Sequence, residues 1–145
     1  MMNWEDIIYK RVKAVKVIAL DYDEASKPMI IEIIFEMETG KLLSLKAEPN
    51  YDEIIINILS SNPPAKHPYA KVFDFINSNE NSIFSHCINK SFCWLWMSRN
   101  NQNYEDVFEC ELHGEFDRLS LRFLVEGSEF KIGKIENMEI DFKAN

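Results

Sequence analysis

The sequence predicts an α+β domain: a twisted antiparallel sheet of six to eight strands, with one or two short helices covering its apolar face. Three observations carry that expectation. In the second half, Phe108, Cys110 and Leu112 alternate with Glu109, Glu111 and His113, the pattern of a strand with one buried and one wet face. The first half holds runs rich in β-branched residues, which favour strands. Between them, Tyr69, Val72, Phe73 and Ile76 fall at helical spacing behind Pro68, a residue suited to the first position of a helix.

Taken in order, Asn3 is placed to cap a helical turn over Trp4 to Tyr9, with Glu5 and Asp6 complementing its dipole. Val12 to Tyr22 reads as a strand, and a shift of apolar phase near Ala14-Val15 predicts a bulge. After a loop over Asp23 to Pro28, Met29 to Met37 is a strand with Ile31, Ile33, Phe35 and Met37 on one face. Thr39-Gly40 turns it into the strand Lys41 to Ala47, which Pro49-Asn50 ends. Tyr51 to Leu59 has an acidic start that would suit a helix, but Ile54-Ile55-Ile56 favours a strand. The expected helix from Pro68 to Asn77 follows the breaker Asn62-Pro63-Pro64. Ile88 to Met97, Val107 to His113, Leu119 to Glu126 and Glu129 to Phe142 then read as antiparallel strands. Gly114 to Asp117 and Gly127-Ser128 are turns, and Gly133 predicts a kink in the last strand. On this reading Trp94, Trp96, Phe108, Cys110, Leu112, Leu121 and Phe123 are buried.

At 145 residues and 46% hydrophobic content, one domain over residues 1–145 has enough apolar material for a core. The net charge of −8 disfavours nucleic acid, which needs a basic footprint, and suits a basic protein partner. Three cysteines, Cys87, Cys93 and Cys110, without CxxC spacing, argue for reduced thiols and a cytoplasmic setting. The opening Met-Met-Asn-Trp-Glu-Asp has no basic region, and Val17 to Leu20 is too short for a signal or membrane span. No membrane association is expected.

Candidate chemistry is sparse. His86, Cys87, Cys93, Cys110 and His113 lack zinc spacing, and Cys110 and His113 fall on opposite faces of a strand, so no metal is expected. Adjacent His86-Cys87 is a poor nucleophile and base pair. Gly-rich phosphate loops and the common hydrolase and metalloprotease motifs are absent, so no cofactor and no catalytic residue is assigned. Asp21, Asp23 and Glu24 lack the ligand spacing of a calcium loop. From Glu105 to Asp117 there are six acids and no Lys or Arg. A solvated sheet face is the plain reading; the functional one is an acidic docking surface formed by Glu105, Glu109 and Glu111. The Asn-rich stretch Arg99 to Asn103 reads as a structural latch or a recognition loop, with Asn100, Gln102, Tyr104 and Asp106 fixing the turn behind Trp94 and Trp96.

Around these residues the chain resembles an uncharacterised family of small bacterial proteins with the stretch W-x-L-x-N-Q-Q-G-Y-x-D before an alternating strand. Trp96 takes the tryptophan position. Asn100, Asn101 and Gln102 fall on the Asn-Gln-Gln run, Asn103 on the glycine, Tyr104 on the tyrosine and Asp106 on the aspartate. The resemblance implies a sheet-rich α+β fold and brings no activity. Small acidic proteins of this type look like immunity proteins of toxin-based competition systems, an analogy at the level of type. The first functional expectation is therefore a non-catalytic protein-binding module, most concretely an immunity-like inhibitor of a basic bacterial toxin. The alternative is a small-ligand-binding or accessory domain using the Trp94, Trp96 and Tyr104 region; an enzyme ranks third.

Overall fold

Strands make up most of the chain that the computed structural model describes, namely residues 3–20, 28–48, 50, 52–61, 70–79, 81–99 and 105–135. They are β1 (Val12–Leu20), β2 (Met29–Met37), β3 (Leu42–Glu48), β4 (Glu53–Leu59), β5 (Ala70–Phe75), β6 (Ser91–Arg99), β7 (Glu105–His113), β8 (Arg118–Glu126) and β9 (Glu129–Lys134). Helical structure among the described residues is limited to two 3-10 turns, Trp4–Asp6 and Ser85–Cys87. The fold is therefore nearly all β, which overturns the α+β expectation.

The error has a local cause. Val72, Phe73 and Ile76 do recur at helical spacing, but Ala70–Phe75 pairs antiparallel with β1, from Val15 against Phe75 to Leu20 against Ala70. The exposed edge of β1 supplies a hydrogen-bond ladder, and a β-branched and aromatic segment takes it. Pro68 and Tyr69 lie outside the described residues. At the other end, Asn3 does cap its turn, with Glu5 N–H donating to Asn3 Oδ1 at 3.2 Å, but the turn closes after Asp6.

Two antiparallel sheets result, one of five strands in the order β4-β3-β2-β1-β5 and one of four in the order β6-β7-β8-β9. One apolar cluster draws on both. Val15, Val17, Ile33, Phe35, Met37, Leu43 and Leu45 come from the first sheet; Phe92, Phe108, Cys110, Leu112, Leu121 and Phe123 come from the second. Phe35 stands edge-on to Phe92 and Phe123, with ring centroids 5.2 and 6.1 Å apart, and so joins the layers. The apolar face expected to carry helices is covered by another sheet.

Bulges reset which residues point inward. One register shift lies between Val12 and Ala14, close to where the apolar phase shifts in the sequence. A second skips Ile31 in β2, so that Ile31 packs with Ile18, Ile34 and Leu42 on the far face while Ile33, Phe35 and Met37 enter the main core. The shared face expected for Ile31, Ile33, Phe35 and Met37 thus breaks at Ile31. Gly133 produces no kink: β8 and β9 pair in unbroken register from Glu126 against Glu129 to Leu121 against Lys134. Residues beyond 135, including the rest of the expected Glu129 to Phe142 strand, lie outside the described residues. Among the described residues, no helix is long and apolar enough to cross a membrane.

Candidate functional site

The outward face of the second sheet collects most of the residues singled out from sequence. Its geometry begins with one residue. β6 pairs with β7 through Phe92 against Leu112 and then Trp94 against Glu111, leaving Cys93 as an extra residue. That bulge reverses the alternation. Phe92 points into the core, and so do Leu95 and Met97 beyond it, whereas Trp94 and Trp96 turn outward. Trp94 is half-buried and Trp96 is 60% exposed, which corrects the expected burial of both. Phe108, Cys110, Leu112, Leu121 and Phe123 are buried as expected.

Cross-strand neighbours then define two rows. Trp94 lies beside Glu111, which lies beside Ser120; Trp96 lies beside Glu109, which lies beside Arg122. Trp94 Nε1–H donates to Glu111 Oε2 at 3.0 Å, and Trp96 Nε1–H donates to Ser98 Oγ at 3.0 Å. Glu111 also bonds the His113 imidazole and has Arg118 at 3.9 Å. These partners, the His113 bond first and the Trp94 bond next, hold its carboxyl below the usual range against the opposing effect of burial. Arg122 Nη2–H donates to Glu109 Oε2 at 3.3 Å, and the Arg99 guanidinium donates to Glu105 Oε1 at 3.2 and 3.3 Å.

The three glutamates expected to form an acidic face all have basic neighbours. Glu109 and Glu111 point outward, yet their side chains are only 16% and 19% exposed, screened by the tryptophans and the cations. The face is therefore aromatic and ion-paired rather than openly acidic. Glu105 to Asp117 alone carries no trace of this pairing, because Arg118 and Arg122 arrive from β8. The usable signal was cross-strand: Glu109 and Arg122 both belong to the polar set of adjacent alternating strands.

Asp106 is half-buried on β7. Asn100, Gln102 and Tyr104 lie outside the described residues; the strands they connect, β6 and β7, are adjacent and antiparallel. Beside Trp96, a cleft of ≈ 290 Å³ opens at the β6 edge, lined also by Trp4, Ile8, Leu95, Met97 and Phe108. Residues 8–11 cover the start of that edge, through Tyr9 N–H donating to Phe92 O at 2.7 Å and the bridge of Arg11 to Ser91. Past Phe92 the edge pairs with no strand among the described residues.

Residues 1–139 match a family of unknown function, DUF6334. The chain belongs to that family. No curated protein and no solved structure matches it.

Within this member of DUF6334 the thiols sit in settings that suppress reactivity. Burial pushes Cys87 up to about 12 and Cys110 well above the ordinary thiol value, so both are protonated at neutral pH. Cys93 is also raised, mainly by desolvation. Cys110 lies in the core and His113 on the outer face, as their spacing on one strand requires. No group of three or more His, Cys, Asp or Glu among the described residues could hold a metal ion.

Proposed function

We propose that the protein is a non-catalytic protein-binding module whose contact surface centres on Trp96. The observation that carries this reading is a tryptophan 60% exposed on an edge strand, next to an apolar cleft and a row of ion-paired residues. Tryptophan and arginine are enriched at the energetic centres of interfaces, and an apolar pocket ringed by polar groups matches that anatomy. Past Phe92, the edge of β6 that no described strand pairs adds backbone donors and acceptors for an extended partner segment. A net charge of −8 favours a basic partner by steering. In its most concrete form the module is an immunity-like inhibitor that caps a basic toxin, acting in a reducing cytoplasm. Three unpaired cysteines support that compartment.

Capture experiments with the full chain from its host test the reading. The wild type and Phe116→Ala, altered at an exposed aromatic in the β7–β8 turn, should retain the same basic partner; Trp96→Ala should lose it. Retention by Trp96→Ala would remove the tryptophan surface from consideration.

The cleft supports a second reading, a small-ligand site at the Trp96 end. Its ≈ 290 Å³ is at the low end for small-molecule pockets. Quenching of tryptophan fluorescence by a small apolar ligand, abolished in Met97→Asp, would favour this reading over protein capture.

A further inference from the structure

A second cleft, of ≈ 400 Å³, lies at the end of the second sheet where β8 begins and β9 ends, against Ser78, His86 and Lys90. His86, Lys90, Arg118 and Lys134 line it, with Asp117 as the one carboxylate among the described lining residues. In a chain of net charge −8, that balance runs against the average surface.

The floor of the cleft is specified. Lys90 has a side chain only 12% exposed; its ammonium donates to the His86 carbonyl and lies 3.1 Å from Asp117 Oδ2. Gly114 N–H donates to Asp117 O at 2.7 Å and closes the turn onto this pair. A Cβ at position 114 would lie 2.3 Å from Asp117 Oδ1 and 3.3 Å from Lys90 Cγ, so the side chains fill the space that glycine leaves. Lys90 and Asp117 therefore cancel each other as a built pair.

Two cations remain. Arg118 is 74% exposed, and its contact with Glu111 is long, 3.9 Å, to a carboxylate already bonded by His113 and Trp94. Lys134 is exposed, with no ion-pair partner for its side chain among the described residues. His86 also lines the cleft.

We propose that this cleft binds the phosphate group of a small molecule. A phosphate carries nearly two negative charges at neutral pH and offers three strong acceptor oxygens. Two exposed cations, Arg118 held only by its long contact with Glu111 and Lys134 without an ion-pair partner among the described residues, match it better than they match a monocarboxylate. A guanidinium can grip two of its oxygens while an ammonium acts as a point charge. A nucleic-acid strand is a poor fit, because tracking a backbone needs a basic surface far longer than this pair of cations. The proposal does not depend on the Trp96 surface.

Calorimetric titration of the full chain with inorganic phosphate, glycerol 3-phosphate and acetate tests it. Both phosphates should bind and acetate should bind at least about tenfold more weakly, a difference of about 1.4 kcal/mol. Arg118→Gln and Lys134→Gln should each weaken phosphate binding about tenfold, whereas Lys16→Gln, on the first sheet, should leave it unchanged. Both replaced side chains are exposed, so the variants should melt like the wild type. A tighter glycerol 3-phosphate would assign the site to an organic phosphate; equal affinities would assign it to free phosphate. No binding at millimolar phosphate, equal binding of acetate, or unchanged affinity in folded Arg118→Gln and Lys134→Gln would overturn the proposal.

Discussion

Trp96 and Glu111 show how one residue's position in the ladder decides its role. A buried tryptophan replaced by alanine costs about 3–5 kcal/mol. At 60% exposure, Trp96→Ala should instead stay within about 1 kcal/mol of the wild type in urea unfolding. Phe92→Ala, two residues before Trp94 and fully buried, should show the full core cost. Glu111 behaves differently because its charge is stabilised in the fold. Its folded pKa is lowered, so its contribution is fully present above the ordinary glutamate value and disappears as pH falls through the lower folded value. Stability measured by urea from about pH 5 to about pH 2 should therefore fall less in Glu111→Gln than in the wild type, the two curves converging in acid. Parallel curves would mean that the carboxylate gains nothing from His113 and Trp94.

Neighbouring strands turn a run of acids into a set of ion pairs. Read along β7 alone, reversing Glu109 and Glu111 to lysine is a surface change of little consequence. In the sheet it places two ammonium groups against Arg122, Arg118 and His113 and removes the acceptor of the Trp94 indole. Glu109→Lys with Glu111→Lys should thus lower stability by about 1–3 kcal/mol, and equilibrium unfolding checks it. This marks the limit of legibility at the scale of elements. The alternation of Phe108, Cys110 and Leu112, and of Leu119, Leu121 and Phe123, is intrinsic to each strand and could be read directly. The bulge at Cys93 changes the facing of Trp94 and Trp96 and depends on register with β7, which no single strand encodes. Val72 and Phe73 pose the same difficulty from the other side. Their spacing suits a helix in isolation, and only the open edge of β1 decides for a strand.

Across the molecule, the core asks whether the two sheets fold as one unit. The expectation of one domain rested on length, while the number and kind of covering elements were not legible: a sheet's apolar face can be covered by helices or by a second sheet. The interior now supplies a sharper argument. Phe35 from β2 meets Phe92 of β6 and Phe123 of β8, and Cys110 and Leu112 join the same cluster as Leu43 and Leu45. Apart from Ile7, Phe84, Cys87 and Ile88 of the 3-10 turns and their flanks, each sheet's share of this face is covered by the other sheet, and an isolated sheet would expose it to water. Phe35→Ala should therefore destabilise both layers together, by about 3–5 kcal/mol. Trp94 and Trp96, with Trp4 beside Trp96 in the cleft, report on the second sheet and the turn against it through fluorescence, whereas far-UV circular dichroism sums both sheets. In wild type and Phe35→Ala alike, the two signals should trace a single coincident transition on urea unfolding, shifted to lower urea in the variant. A fluorescence transition that stayed in place while the dichroism signal moved would show the second sheet holding its structure alone, and the joint core would then be an interface between two separately stable layers.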